Sequence, residues 1–393
     1  MGKLILIANP GSASRKYALY DSSEFLCALH FEYEDGQVIC TLRDAEDREK
    51  VLRPDIDDMG DTVGKLREIL LGEKYMSDAR PLSMIVVRIV APGEYFAADH
   101  VVDDEFLERL EVAKQRAPLH VPVVAAEINH FRRSFSAVPI VAVSDSAFHA
   151  DRPELMKYYA FDTELADEAE IKRYGYHGLS VGYVVDLMRK QNILSEKLVV
   201  CHIGSGSSVT AVFGGRSMDT SMGYSPLEGL MMATRAGSMD VAAAAALKRE
   251  LGLDDEGLLE YLNKKAGLLG VSGASDDMRE VLKKRELGDL RAAFAHALYI
   301  YRIQSLIGQM VASLGGIDGL VFTATIGERS DDVRRAVVQK LAYLGLYLDG
   351  EKNGSPEAGQ KPVVNIGAEG SKPIYVTKTD ETAEMIRRAV TLI

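Results

Sequence analysis

The reading of this chain turns on Cys201 to Asp240, CHIGSGSSVTAVFGGRSMDTSMGYSPLEGLMMATRAGSMD. An apolar run, Leu198 to Ile203, meets a Gly/Ser turn at Gly204 to Ser208, and a second apolar run, Val209 to Phe213, leaves it. This reads as strand, turn, strand. A Walker A loop needs a Lys at its end and a Rossmann turn needs a helix opening directly after it, so both are excluded. What remains is a hairpin whose backbone N–H groups can hold phosphate oxygens. An acidic pair, Asp219 and Glu228, and Arg235 between Thr234 and Gly237 follow closely. Phosphoryl transfer needs these ingredients together. Alone, such a hairpin is most often a tight turn. Its recurrence changes that: Lys3 to Ala8 is another apolar strand, Asn9 to Ser14 (NPGSAS) another Gly/Ser turn, and Tyr17 to Tyr20 another outgoing strand.

With 393 residues, 47% hydrophobic and 26% charged, the chain can bury large cores, and its length suggests about two domains. No apolar run approaches the ~20 residues of a membrane span, and the first strand is too short for a signal peptide, so a cytoplasmic protein is expected. Cys27, Cys40 and Cys201 lack metal-ligand spacing and read as reduced, buried thiols. The net charge of −12 argues against nucleic acid and acidic membrane partners. Any anionic substrate must then be met by a few local arginines.

Strands are expected at 3–8, 15–20, 24–33, 36–43, 83–90 and 138–143, with helices at 60–73, 103–115 and 121–134. After a polar, acidic stretch from Asp151 to Asp167, the best domain boundary, a second series begins: a helix after His177 and a strand at 197–203. The hairpin is followed by a helix-rich block from Leu227 to Leu314, a strand at 319–323, a helix at 331–344, a loop at 349–361, a strand at 374–376 and a helix from Asp380. Alternating strands and helices in both halves imply α/β layers with parallel sheets and a cleft between them.

The segments CHIGSGSS to Gly237, YGYHGLS (Tyr174 to Ser180), SDSAFH (Ser144 to His149), APLH (Ala117 to His120), AGLLGVSGASDDMR (Ala266 to Arg279) and VFTATIGER (Val321 to Arg329) together carry a resemblance. The chain resembles the acetate kinase family of acetate, propionate and butyrate kinases, within the actin-like ATPase and sugar kinase superfamily. The resemblance runs from Asn9 to about Glu381. It implies a duplicated, actin-like (ribonuclease H-like) two-domain α/β fold with a central interdomain cleft. Residues 1–149 would form the first domain, rejoined by a helix at about 382–393, and residues 150–381 a nucleotide-binding and dimerisation domain.

The activity implied is reversible transfer of the ATP γ-phosphoryl to a short-chain carboxylate, giving acyl phosphate and ADP by direct in-line displacement after domain closure. Such a transition state spreads charge over three equatorial oxygens, so catalysis is mostly positioning and charge stabilisation. By similarity, Arg88 and Arg235 flank the phosphoryl and the carboxylate, His177 donates to the equatorial oxygens, His120 holds the anion, and Asp145, with Asn9 and Glu381, serves Mg2+ or Mn2+. Lys16, His202, Gly204, Ser205, Gly206 and Ser207 would meet phosphate. Asp277, Met278, Arg279, Thr325, Ile326, Gly327 and Glu328 would meet the adenosine, and Val90, Leu119, Tyr176 and Pro226 would wall the acyl group. A homodimer is implied, and the block from Leu290 to Leu314 offers apolar surface in Leu298, Tyr299, Tyr301, Ile303, Leu306 and Ile307.

The chain departs from the family pattern at both ends of the reaction. Thr325 to Arg329 stands where the family reads Gly-Ile-Gly-Glu-Asn, and Ser205 where it has Asn; the bulk of Thr325 and Arg329 narrows the adenosine pocket. After Arg88 come Ile89, Val90, Ala91, Pro92 and Gly93 in place of Val-Val-His-Gly-Gly. Val121 replaces an Asn, Tyr176 a Phe, and Thr379 to Thr382 carries one acid fewer. The hydroxyl of Tyr176 adds a polar handle to a pocket whose apolar walls discriminate poorly between homologous acids. Three alternatives stand beside ATP and acetate: another short acid, another nucleotide or pyrophosphate as donor, and a non-enzymatic actin-like nucleotide-binding protein.

Overall fold

The structure is a computed structural model that describes residues 3–11, 14–56, 58–77, 79–117, 121–355, 357 and 360–393. It divides into two compact units, residues 1–147 with 381–393, and residues 148–380. The first unit thus holds both ends of the described chain, and Glu381 falls on its side of the division.

The first unit is built on one sheet of eight strands: β1 (Leu4–Pro10), β2 (Ser14–Asp21), β3 (Glu24–Glu34), β4 (Gln37–Asp44), β5 (Glu49–Leu52), β6 (Leu82–Ile89), β7 (His100–Val101) and β8 (Ile140–Ser144). Their spatial order is β5-β4-β3-β2-β1-β6-β8-β7. β1, β6 and β8 run parallel, and β2 to β5 form an antiparallel meander against β1. The sequence explains the split. β8 (IVAVS) is buried at every position, as a strand covered on both faces must be, whereas β3 alternates buried and half-exposed residues. Three helices, α1 (Thr62–Gly72), α2 (Asp104–Arg116) and α3 (Val121–Ser134), give Leu66, Leu70, Phe106, Ile128 and Phe131 to the core.

The second unit holds helices α4 (Thr163–Glu168), α5 (Gly178–Lys190), α6 (Val241–Leu251), α7 (Asp255–Lys264), α8 (Gly267–Ser272), α9 (Met278–Glu286), α10 (Leu290–Leu314), α11 (Ala324–Arg329), α12 (Asp331–Val338) and α13 (Gly350–Gly354). Its sheet contains β9 (Lys197–Ile203), β10 (Ser207–Phe213), β11 (Arg216–Thr220), β12 (Gly319–Thr323), β13 (Val363–Asn365) and β14 (Ile374–Thr377), ordered β11-β10-β9-β12-β14-β13. Here β9, β12 and β14 are parallel and β10 and β11 antiparallel to their neighbours. Successive side chains of a strand leave opposite faces. Val199, Cys201 and Ile203 therefore pack with Tyr299, Ile303 and Ile307 of α10, while Leu198 and Val200 pack with Val181, Val184 and Met188 of α5. α10 runs 25 residues between an Asp289 N-cap and Gly315 in the left-handed conformation.

Both sheets are mixed, not parallel, because each inserts an antiparallel hairpin beside three parallel strands. The helix-rich block begins at Val241 and not at Leu227, since Ser221 to Asp240 is irregular and glycine-punctuated. The helix expected over 331–344 stops at Val338, and β5, β7, β11 and β13 were not signalled in the sequence. α10 turns Tyr299, Ile303 and Ile307 into its own core and leaves Leu290, Phe294 and Tyr301 exposed. Returning to the first unit, α14 (Glu381–Ala389) buries Met385, Ile386 and Ala389, and its Arg388 Nε donates to Asp99 Oδ2 at 2.8 Å.

All three cysteines are free and buried. Burial pushes the thiols of Cys27 and Cys40 up to about 12 and raises that of Cys201 further. No helix among the described residues is long and apolar enough to cross a membrane.

Candidate active site

The second unit presents the glycine hairpin between β9 and β10. Gly204 N–H donates to Gly206 O at 3.1 Å, closing the turn, and Ser207 Oγ donates inward to Gly204 O at 3.1 Å. Ser205 is exposed at the tip, and its carbonyl accepts from Ala233 N–H at 3.1 Å. That bond ties the hairpin to the Arg235 segment, which is itself anchored on α8: Leu268 N–H donates to Met232 O and Leu269 N–H to Ala233 O, at 2.8 and 2.9 Å. Gly237 and Gly267 sit there at positive φ against backbone, where any Cβ would collide.

Three expected residues converge at Gly206. A Cβ placed there would meet His177 Nε2 at 3.2 Å and Arg235 Nη1 at 3.5 Å. Glycine at that position lets an imidazole and a guanidinium reach the same patch of backbone. His177 sits at φ 60°, ψ 20°, a conformation costly to a residue with a Cβ, immediately before α5. Its Nδ1 is 3.0 Å from Ser208 Oγ, and its ring stacks on His202 at 4.0 Å between centroids. His202 Nδ1 in turn lies 2.8 Å from Ser180 Oγ, which is 2.9 Å from Thr379 Oγ1. Where Ser208 donates to Nδ1, the neutral ring of His177 carries its proton on Nε2, at the Gly206 corner. His202 and Ser207 stand behind this corner as its support. Arg235 Nη1 also donates to Pro226 O at 3.4 Å.

Next to the hairpin opens a cavity of about 610 Å³, within the range that small-molecule sites occupy. Ser205, Asp277, Met278, Arg279, Thr325 and Ile326 line it, and so does Arg329. The bulk of Thr325 and Arg329 has not closed it. Gly327 and Glu328 belong elsewhere. Gly327 packs on Phe322 and Ile203, and Oε1 of the half-buried Glu328 accepts from Ala324 N–H at 3.0 Å and Thr379 N–H at 3.1 Å. Burial raises the Glu328 carboxyl above the usual carboxylate range against the pull of those two bonds. The carbonyls of Gly327 and Glu328 accept from buried Arg334, each at 2.9 Å. Burial lowers Arg334 to about 10. Leu282, Glu286 and Asp332, from α9 and α12, also line the cavity and carry no motif by which sequence could find them.

Both members of the acidic pair read beside the hairpin are held by other groups of the protein. Asp219 is buried and accepts from Thr220 N–H at 2.8 Å and Ser313 Oγ at 3.0 Å. Glu228 is held through one oxygen by Arg173 and through the other by Tyr159. The hydroxyl of Tyr176, expected as a polar handle, donates to Tyr224 O at 2.7 Å, and Tyr176 is 1% exposed. Pro226, two residues after Tyr224, is buried.

In the first unit the C-terminal ends of three parallel strands carry the expected polar groups. Ala8 of β1 pairs with Val87, and Arg88 of β6 with Val143 of β8, so Asn9, Arg88 and Asp145 emerge along one edge, where open α/β sheets bind ligands. Arg88 Nη2 donates to Asp145 Oδ2 at 3.0 Å and Nη1 to Glu381 Oε2 at 2.9 Å. Burial opposes the charge on Arg88, yet Asp145 and Glu381 outweigh it and raise its pKa. Two carboxylates meeting at one guanidinium, with an amide oxygen nearby in register, form a hard donor set that suits a divalent cation completed by waters and phosphate. No cluster of three or more His, Cys, Asp or Glu of metal-binding arrangement occurs among the described residues. Lys16 is exposed on β2 opposite Asn9, and Val90 is half-buried beyond β6. Leu119 and His120 lie outside the described residues.

A sequence profile of the acetokinase family matches residues 4–387. The chain is 34% identical to an acetate kinase of Lachnoclostridium phytofermentans, over 99% of this chain and all of that one. It is 36% identical to an acetate kinase of Thermoanaerobacter pseudethanolicus over 89% of each. Among solved structures it is similar to a propionate kinase from Francisella tularensis, with a TM-score of 0.91 and 31% identity over the full length of both chains. It is similar also to the acetate kinase of Porphyromonas gingivalis, with a TM-score of 0.87 and 30% identity over 99% of each.

Proposed function

The chain belongs to the acetokinase family and is thus a short-chain carboxylate kinase, a transferase with a carboxyl group as acceptor; from that premise we propose how its residues divide the work. Arg235 and His177 stabilise the phosphoryl group as it moves directly from donor to acceptor oxygen, with the backbone of the Gly204 to Gly206 turn beneath it. The carrying observation is the convergence of His177 Nε2 and Arg235 Nη1 on Gly206. A guanidinium, an imidazole N–H and turn amides are donors aimed at oxygens whose charge develops during transfer. Arg88 pairs with the carboxylate acceptor, and His120 assists it. Asp145, Glu381 and Asn9 would hold Mg2+, which would supply charge neutralisation to the phosphate oxygens.

The donor in this reading is ATP. Pyrophosphate has no base or sugar to seat, and a cavity of about 610 Å³ at the hairpin supports a nucleoside. The acceptor is acetate or propionate, the acids named for the relatives, with Pro226, Tyr176, Val90 and Leu119 as the acyl wall. The commitment of the Tyr176 hydroxyl to Tyr224 O leaves an apolar wall and favours unsubstituted acids over hydroxylated ones. The exposed Phe294 and Tyr301 of α10 support a homodimer, which sedimentation checks directly. Three reduced thiols and a nucleotide donor support a cytoplasmic location, which fractionation checks.

The deciding experiment traps acyl phosphate with hydroxylamine across a panel of acids and donors, with Arg235→Ala as control. ATP with acetate or propionate should give hydroxamate and the variant almost none. Turnover by Arg235→Ala at the parent rate would remove Arg235 from its role, and turnover with pyrophosphate but not ATP would remove the nucleotide reading.

A further inference from the structure

Glu228 lies in the most motif-rich part of the chain, yet both of its oxygens are taken. Oε1 accepts from Arg173 Nη1 and Oε2 from Tyr159 Oη. Both oxygens thus already meet donors of this chain. The two partners reach further. Tyr159 Oη accepts from Tyr224 N–H at 2.9 Å, and Arg173 Nη2 donates to Thr220 O at 2.8 Å while its guanidinium lies 5.8 Å from the Tyr159 ring centre. Gly223 passes between them with no side chain, because a Cβ there would strike both Glu228 and Tyr159. Its carbonyl accepts from Tyr174 N–H at 3.0 Å and Gly175 N–H at 3.2 Å. Tyr176 then closes the set from the same strand of sequence, donating to Tyr224 O.

Every one of these bonds lands between Thr220 and Glu228, and that segment contains Pro226, whose carbonyl receives Arg235 Nη1. The segment has no regular secondary structure of its own. The clamp adds to the bonds that Tyr174, Gly175 and Tyr176 make to Gly223 and Tyr224, and looseness in the loop would pass to the guanidinium that touches it.

We propose that Glu228, with Arg173 and Tyr159, is a positioning residue of the kinase: the three clamp the Ser221–Leu227 segment so that the Pro226 carbonyl fixes Arg235 and the Pro226 ring fixes the acyl wall. This rests on the reading of Arg235 as the group facing the transferred phosphoryl. Loss of the clamp leaves the nucleotide cavity alone, because none of Glu228, Arg173 and Tyr159 lines it. The signature is therefore a split between the two substrates.

The test is steady-state kinetics of the full chain carrying Glu228→Gln, Glu228→Asp or Tyr159→Phe, with melting recorded for each. For Glu228→Gln, kcat should fall about tenfold and the KM for the acid rise, with the KM for ATP within about twofold of the parent. Glu228→Asp should recover part of the loss. The double variant Glu228→Gln/Tyr159→Phe should be little worse than the poorer single one, since members of one network are not additive. If Glu228→Gln does not fold, Tyr159→Phe, which removes one hydroxyl, decides by the same split. Parent kinetics in a folded variant, or equal rises in both KM values, overturns the proposal. Arg235→Ala run alongside keeps the two readings apart: if it is inactive while Glu228→Gln matches the parent, the clamp alone is wrong. If Arg235→Ala is itself active, the assignment of Arg235 falls first.

Discussion

The two sheets share one frame and carry opposite equipment. In each, an antiparallel hairpin flanks three parallel strands, in the order β3-β2-β1-β6-β8 in the first unit and β11-β10-β9-β12-β14 in the second. At the C-terminal edge of the first, the side chains are charged, with Arg88 balanced between Asp145 and Glu381. At the corresponding edge of the second, backbone takes over: a glycine turn, two stacked imidazoles and one arginine. A repeated frame fixes where ligands are met, while the chemistry depends on which residue types end each strand. The charged edge suits a cation and a carboxylate, and the backbone edge suits phosphate.

The comparison breaks most visibly at its two arginines. Arg235→Ala should lower kcat by about 10³-fold, as loss of a transition-state donor in a dry site does, with melting unchanged; a stopped assay of acyl phosphate reads it. On the other edge, Asp145→Asn should lower kcat by about 100-fold and raise the metal concentration for half-maximal rate. A metal titration of this variant that overlays the parent's would contradict the division of labour. A gentler probe is Gly206→Ala. Its methyl would press on His177 Nε2 and Arg235 Nη1, and overpacking by one carbon, about 1–3 kcal/mol, predicts a fall of about tenfold or more in kcat. Substitution of the exposed Lys16 at the other hairpin should do little in the same assay.

The smallest effect concerns Glu328. Its folded-state pKa is raised by burial, so the folded state binds the proton more readily than the unfolded chain. That contribution to stability is fully present below the unfolded pKa and is lost as pH rises through the raised folded value. Glu328→Gln keeps an oxygen for both backbone donors and should flatten the pH dependence of melting on the acidic side of neutrality, with activity near that of the parent. A fall in activity to the level of Arg235→Ala would show that the carboxylate acts in catalysis after all.

Much of the site could be read from residues alone because backbone demands leave clear marks. Gly237 sits where no side chain fits, and Gly204 and Gly206 where a Cβ would press on neighbours at 3.3 and 3.2 Å; such positions are written in the sequence as glycine. Long apolar runs such as β9 announced the parallel strands. The rest lay in partners distant along the chain. Nothing near Glu228 tells of Tyr159, and nothing in VFTATIGER tells that Glu328 turns inward to Thr379 while Thr325 and Ile326 face the cavity. The hydroxyl of Tyr176 was equally mute about Tyr224. Short edge strands such as β5 carry too little apolar pattern to signal themselves, and Leu227 to Asp240 looked helical because its Leu and Met residues pack around glycines instead of along a helix face.

α14 belongs to the first unit, although the whole of the second lies between it and β8. During synthesis, domains generally fold as they emerge, at roughly 5–20 residues per second. The unit begun first is here completed last. Until Glu381 and Arg388 leave the ribosome, Arg88 lacks one of its two carboxylates and Asp99 lacks its arginine, while the second unit already has every strand and helix it needs. A nascent chain that ends at Asp380 and is held clear of the ribosome by a long flexible linker should therefore carry a protease-resistant second unit and a still-cleavable first one.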